Sequence, residues 1–365
     1  MAFCLDFVEW LGPDTASSVL LFLEDPADLV RLSAVSRSWR RFVIENGFCK
    51  NFCSRICFEV SNFAHVTEIS SVQSSEAGSS SGAEWRSLER EHRVYSYLSH
   101  CMVSPLAKRD CILEAICASS TDNFPDESIE NTLEPNDRVD IRPSYWSSEG
   151  QKNPEVPETL TYSLLSKLCV INEIKIQPFE AYFQNGSPIY SAKSVRFRMG
   201  YCSSPSETSK NGQVSTVDDY RWIYVSPEFK MLQENALQSF KLPRPVLCIG
   251  GVLQIELLGR VQAQEMDGLY YICVCHVRVL GYPLTPHLDA EVVAAGNEII
   301  LKYLPEAGVC SSTEAQDSSG WQSLKDRIKD LRARARDGWH YPFLSTLLSA
   351  MESDLDDEEP PLGYW

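Results

Sequence analysis

Apolar residues recur at helical spacing from residue 13 to 48. Ala16, Val19, Leu20 and Leu23 stand at i, i+3, i+4 and i+7 and make one helix face. Asp25-Pro26 ends that helix and opens a second, because an aspartate can cap and proline suits the first helical position. Leu29, Leu32 and Val35 continue the apolar face. Ser36 can cap a third helix, with Val35, Trp39, Phe42 and Val43 on its inner side. Helical patterning returns over residues 84–118, where Ser104-Pro105 opens one segment, and briefly near 287–303. Between about 120 and 284 the texture changes. Short β-branched and aromatic runs alternate with Pro, Gly, Asn and Ser clusters, the pattern of an antiparallel sandwich or barrel.

Within that stretch Leu168–Ile176 and Arg221–Val225 read as strands. Val195, Phe197 and Met199 face inward against Arg196 and Arg198; Leu253, Ile255 and Leu257 face inward against Gln254 and Glu256. Tyr270–Leu280 is apolar on nearly both faces and reads as a central strand. Residues 70–82, rich in serine and glycine, read as a linker, and residues 311–320 as a second, polar one. A basic amphipathic segment (321–336) and an acidic tail (352–359) close the chain, and no internal repeat is present. Four units are expected: a helical domain at 1–60, a linker and helical bridge at 61–104, a β-sandwich at 105–284, and a C-terminal helical segment with acidic tail at 285–365. The sandwich stretch has a typical domain size and a self-contained strand pattern, so it is expected to fold alone.

Three helices in about 35 residues bury little surface, and units below about 40 residues usually need a metal, a disulfide or a partner. Apolar surface should be left over for a partner. The stretch Leu11 to Phe42 resembles the F-box, by which substrate receptors dock on a Skp-type adaptor of cullin-based ubiquitin ligases. The matching residues are Pro13, the run Val19-Leu20-Leu21-Phe22-Leu23, Asp25-Pro26, Asp28-Leu29, Leu32, Val35, Arg37 and Trp39. The family pattern opens Leu-Pro; here Gly12 stands between Leu11 and Pro13. The resemblance implies an adaptor-binding set of Pro13, Val19, Leu20, Leu23, Pro26, Leu29, Leu32, Val35 and Trp39.

The β-rich region resembles the galactose-binding-like, or discoidin-type, jelly roll. The carrying residues are Tyr145-Trp146-Ser147-Ser148-Glu149-Gly150, then Glu158 to Leu164, the strand with Ile174 and Ile176, and the closing Val277-Arg278-Val279-Leu280-Gly281. The chain as a whole resembles a plant group of F-box proteins carrying this pair of domains. The expected fold class is α+β multidomain: a small three-helix F-box, a helical bridge, an antiparallel jelly roll, then short C-terminal helices and an acidic tail. Such sandwiches present ligands on loops at one end. The candidates here are Tyr145 to Ser148, the Asn185-Gly186-Ser187 turn flanked by Tyr182 and Tyr190, and the long Cys202–Asp219 stretch. Tyr145, Trp146, Tyr182 and Tyr190 form the candidate substrate-binding set, although Trp146, as a large aromatic, reads rather as a plug in the end of the sandwich.

Composition narrows the partners. In 365 residues, 33 Lys+Arg face 50 Asp+Glu, a formal charge of −17. That acidity argues against nonspecific nucleic-acid or anionic-membrane binding, which needs clustered cations. The longest apolar run, Val246 to Leu253, is about 8 residues, against roughly 20 for a membrane span. Asp6 and Glu9 interrupt the N-terminal apolar stretch and no basic region precedes it, so no secretory signal is expected, and the 13 cysteines read as reduced, mostly buried thiols. The expected location is cytoplasmic, nuclear or both. Asn185-Gly186-Ser187 then reads as a turn and not as a glycosylated site.

Candidate chemistry is sparse. Gly78-Ser79-Ser80-Ser81-Gly82 matches a nucleophile elbow in letters only: the elbow needs a strand before it and a helix after it, and this match reads as part of a serine-rich linker. Cys49, Cys53 and Cys57 at helical spacing, with His65 downstream, allow zinc or, more simply, a helix face packed by small thiols. Cys273, Cys275 and His276 read as sheet interior. Trp321, Leu324, Ile328 and Leu331 form an apolar stripe in the basic segment, which suits a partner-binding helix or pairing with the acidic tail. The expected function is therefore that of a non-catalytic substrate-recognition subunit of an SCF-type ubiquitin ligase, using no cofactor or metal. It would reach a cullin through a Skp-type adaptor and hold a protein or glycoprotein substrate on the sandwich. The alternative is a scaffold without ubiquitin transfer, or a carbohydrate- or peptide-binding protein.

Overall fold

The computed structural model describes residues 10–69, 80–104, 107–139, 142–203, 220–293 and 298–308. Four short helices open it: α1 (Pro13–Leu20), α2 (Pro26–Ser33), α3 (Arg37–Glu45) and α4 (Phe48–Ile56). Their ends follow the capping chemistry of the sequence. Asp25 Oδ1 accepts from the Ala27 amide at 2.8 Å, and Ser36 Oγ accepts from the Trp39 amide at 3.1 Å. Gly12 takes φ +74°, a conformation that a side chain would strain, and Pro13 then starts α1. Strand β1 (Phe63–Glu68) and the long helix α5 (Ser80–Val103) follow.

The remaining principal strands are β2 (Ile112–Ala118), β3 (Glu158–Leu164), β4 (Leu168–Glu180), β5 (Ala192–Cys202), β6 (Tyr220–Val225), β7 (Gln238–Ile249), β8 (Val252–Arg260), β9 (Cys273–Pro283), β10 (Leu288–Val293) and β11 (Glu298–Tyr303). One sheet runs β6-β5-β8-β3-β2. The other runs β7-β4-β9 and ends on the short strand Arg109–Asp110. Both are antiparallel throughout these pairings. Their facing sides make the sandwich core. Leu253, Ile255, Leu257, Val195 and Phe197 come from the first sheet, and Ile171, Ile174, Ile176, Val277 and Val279 from the second. The turn Gly250-Gly251 carries the chain from one sheet to the other. Both glycines have positive φ, and a Cβ on Gly250 would meet the Tyr201 Cβ at 2.2 Å.

Sequence periodicity misread three places. Residues 112–118, expected as helix, are β2. Residues 288–293 and 298–303, also expected as helix, are β10 and β11, and β11 pairs in parallel with β1 of the N-terminal part. Buried Leu288, Ala290, Ile299 and Leu301 alternate with more exposed neighbours, a period of two that is hard to tell from a helical stripe over six residues. Gln254 and Glu256, expected to face water, are buried on the outer face of β8. Arg196 and Arg198 on β5 roof Glu256, with nitrogen–oxygen distances of 2.7 and 3.1 Å, and hold its carboxyl below the usual range against the opposing effect of burial. The basic segment 321–336, the acidic tail and most of the two serine-rich linkers and of the Cys202–Asp219 stretch lie outside the described residues.

A second core joins the helices to the sandwich. Leu168, Val170, Leu247, Ile249 and Tyr282 point away from the sandwich interior and pack with Leu20, Leu29, Val43, Phe52, Val94, Leu98, Leu288 and Leu301. This is why β4 and β9 are apolar on both faces. A clamp reinforces the join: Arg244 donates to buried Glu59 from both terminal nitrogens, at 2.9 and 2.6 Å, and its guanidinium lies 4.7 Å from the Phe58 ring centroid. The expectation that residues 105–284 fold alone changes accordingly. Excised, that fragment would expose its five side chains of the shared core together with Tyr201 and Leu284 of the same core, each large apolar group worth about 1.5–3 kcal/mol when buried. It should unfold at a lower temperature than the full chain or bind a hydrophobic dye; an unchanged melting midpoint would contradict the shared core.

The described cysteines form no disulfide, and most are buried in the two cores. Cys49 and Cys53 line α4 and Cys57 follows it, all inside the shared core, while His65 is exposed on β1. Among the described residues no group of three or more His, Cys, Asp or Glu is placed to hold a metal ion. Burial pushes the Cys49 thiol up to about 11 and those of Cys248 and Cys273 up to about 12. Among the described thiols, iodoacetamide at pH 8 should therefore label exposed Cys202 first, and Cys248 and Cys273 only on unfolding. Rapid native labelling of Cys248, read by peptide mass spectrometry, would contradict this.

Candidate functional site

Two surfaces stand out. The first lies on α1, α2 and the turn between them. Of the nine residues expected to meet an adaptor, Leu20, Pro26 and Leu29 are buried and hold the helices together. Leu23, Leu32 and Trp39 are half-buried against the same core, so truncating Trp39 should cost less than the roughly 3–5 kcal/mol of a fully buried aromatic. Pro13, Val19 and Val35 are exposed. Three exposed apolar residues join them: Leu21, Val30 and Phe22, the last 84% exposed. Helical periodicity does not single out Phe22, because α1 stops at Leu20 and the chain turns. Arg55 on α4 fixes that turn, donating to the Leu23 carbonyl at 2.7 Å and to the Leu21 carbonyl. Apolar side chains held in water on a braced turn are what a docking surface requires.

The second surface is a cleft of about 140 Å³ beside the short strands at one end of the sandwich. Tyr145 and Tyr190, both expected from the sequence, line it. Tyr145 stacks on Phe179 with ring centroids 3.9 Å apart, and its hydroxyl donates to Glu127 Oε1 at 2.5 Å. Burial first, then that bond, push its phenol well above the usual range. The Tyr190 hydroxyl donates to Gln184 Oε1 at 2.6 Å, and its ring meets Tyr271 edge-on at 6.3 Å. Asp122, Asn123, Phe183 and Gln264 complete most of the wall. Partial burial raises the Asp122 carboxyl, and Asp267 and Glu149 nearby add to it.

The other two expected residues stand apart from the cleft wall. Trp146 is fully buried, with its indole donating to the Ser120 carbonyl at 3.0 Å, so the plug reading describes its place. Tyr182 is half-buried outside the lining. The Arg138 guanidinium lies 3.8 Å from its ring centroid, and its ring sits edge-on to Phe179 and Phe183. Asn185-Gly186-Ser187 does form a turn, with positive φ at Gly186 and Ser187. His276 donates from Nδ1 to the Thr132 carbonyl at 3.0 Å, a satisfied sheet histidine.

Behind the cleft sits a residue that the sequence reading passed over. Arg260 is 1% exposed. Its Nη1 donates to Ser148 Oγ at 2.8 Å, to the Glu149 carbonyl at 2.8 Å and to the Tyr270 carbonyl at 3.0 Å, and its Nη2 pairs with buried Glu158. Glu158 in turn accepts from Ser120 at 2.8 Å and from Ser119. One guanidinium thus ties together the segments that carry Ser147 and Tyr271 of the lining.

The F-box-like family model matches residues 13–55. A protein of Arabidopsis thaliana described as F-box protein At4g00755 is 51% identical over 312 residues, which cover 82% of each chain. Among solved structures, the family 32 carbohydrate-binding module of Streptococcus pneumoniae EndoD is 10% identical with a TM-score of 0.32, over 46% of this chain and 97% of that one. The family 32 module of Clostridium perfringens NanJ, solved with galactose, is 13% identical with a TM-score of 0.28, over 46% and 98%. An allantoicase is 13% identical with a TM-score of 0.33, over 51% and 52%.

Proposed function

The chain belongs to the F-box proteins, and from that membership we propose that it is the substrate-recognition subunit of an SCF-type cullin ubiquitin ligase. The observation that carries the reading is the exposed apolar strip of Val19, Leu21, Phe22, Val30 and Val35, inside the matched segment and braced by Arg55. This strip would dock on the helices of a Skp-type adaptor, which brings a cullin. The aromatic cleft of the sandwich would capture a protein or glycoprotein substrate. The chain would contribute proximity and no bond-making step of its own: substrate lysines held near the ubiquitin donor react as if highly concentrated. The join formed by the shared core and the Arg244–Glu59 clamp suits such a spacer. No helix among the described residues is long and apolar enough to cross a membrane, and a cytoplasmic or nuclear location fits this role.

Affinity purification of the tagged full chain tests the proposal. Adaptor and cullin should co-purify with the unaltered chain. Recovery of the adaptor without a cullin would favour a scaffold, and recovery of neither would refute the receptor role.

A further inference from the structure

The cleft has a chemical character of its own. The charged side chains in its lining are both acidic, Asp122 and Glu127. Further carboxylates stand close behind: Asp267 accepts from the Tyr271 hydroxyl at 2.7 Å, and Asp267 and Glu149 both act on Asp122. The buried cation Arg260 is spent on Glu158 and four other oxygen acceptors, and Arg138 covers the face of Tyr182. Negative charge in the cleft therefore has no basic partner in the lining, while the aromatic rings of Tyr145, Phe179 and Tyr271 wall it. Carboxylates beside aromatic rings hold a cation by ion pairing and by attraction to the ring.

The adjoining segments also carry exposed apolar side chains. Phe124 follows Asn123 of the lining and is 77% exposed; Met266 lies between Gln264 and Asp267 and is 93% exposed; Phe183 of the lining is itself half in water. Large apolar side chains standing in water on the segments that carry lining residues match the composition of a polypeptide interface, where aromatic residues and Met are enriched. A neutral sugar ring would leave both features unused: the carboxylates without a cation in the lining and the exposed apolar side chains beside them.

We infer that the cleft takes the cationic side chain of one arginine or lysine in an apolar-flanked segment of the substrate protein. The inference rests on the reading of the sandwich as the capture surface and specifies what it captures. The cleft admits one side chain, and the exposed apolar side chains would hold the neighbours of that residue.

Calorimetry on the full chain tests this with three probes: acetyl-Leu-Arg-Leu-amide, the same peptide with citrulline for arginine, and methyl β-galactoside. Citrulline keeps the shape and loses the charge. The arginine peptide should bind at least about tenfold more tightly than the citrulline peptide. Asp122→Asn should weaken it by about tenfold, and Phe183→Ala should also weaken it, both with an unchanged melting midpoint. Equal binding of the two peptides, or no binding of either, overturns the inference. Saturable binding of the galactoside alone overturns it too, yet leaves the sandwich as a capture surface. The capture reading itself falls if neither cleft variant changes the set of proteins recovered with the full chain under proteasome inhibition.

Discussion

Phe22→Asp is expected to weaken adaptor binding by about 30-fold or more while leaving the melting midpoint close to that of the unaltered chain. The magnitude follows from a central aromatic anchor, whose loss typically costs about 2 kcal/mol or more, with the desolvation of an unpaired carboxylate against an apolar partner added. The specificity follows from exposure. Phe22 has most of its surface in water, so the folded chain loses little when it is replaced. Leu20→Asp is a poorer probe, because Leu20 lies in the core shared by the helices and the sandwich, and its replacement would disturb both. Surface plasmon resonance against purified adaptor, with a thermal scan of the same protein, decides the matter. Unchanged affinity in a folded Phe22→Asp protein would remove Phe22 from the docking surface. A collapsed midpoint would mean that its ring is packed in solution.

What was legible in the sequence is what local rules control. Asp25, Pro26 and Ser36 announce helix boundaries because capping is settled within three residues. Val195, Phe197 and Met199 announce an inward face because a strand alternates strictly. Residues 288–303 were misread because two six-residue strands and one short helix bury the same fraction of positions; only their pairing, with each other and with β1, separates the two readings. The same limit hid the cleft. Tyr145 and Tyr190 could be found as aromatic residues beside turns, but Asp122, the neighbouring pair Phe179 and Phe183, and Tyr271 come from three separate segments and meet only after the sheets form. The dependence of Leu168 and Val170 on the F-box helices is likewise a contact across more than 100 residues, with no local trace beyond a strand apolar on both faces.

Arg260→Met should destabilise the chain by about 3–5 kcal/mol, because it leaves the Glu158 carboxylate buried without its cation. At about 2–4 °C per kcal/mol for a unit of this size, the midpoint falls by roughly 6–20 °C. The loss is not a matter of volume, since methionine fills similar space. It comes from charge and from the four other acceptors that Arg260 satisfies: Ser148 Oγ and the carbonyls of Glu149, Val156 and Tyr270. Pairing Arg260→Met with Glu158→Gln removes the orphaned charge while keeping an acceptor for Ser119 and Ser120. The double variant should therefore be more stable than the sum of the two single losses, a coupling of about 1–3 kcal/mol in a double-mutant cycle. The cleft offers a second readout. Ser147 and Tyr271 of its lining sit on segments that Arg260 ties together, so peptide binding should weaken in Arg260→Met even where the fold is retained at low temperature. Additive single losses, or a midpoint shift below about 2 °C, would show that water replaces the guanidinium and that the cleft is held by its aromatic stacking alone.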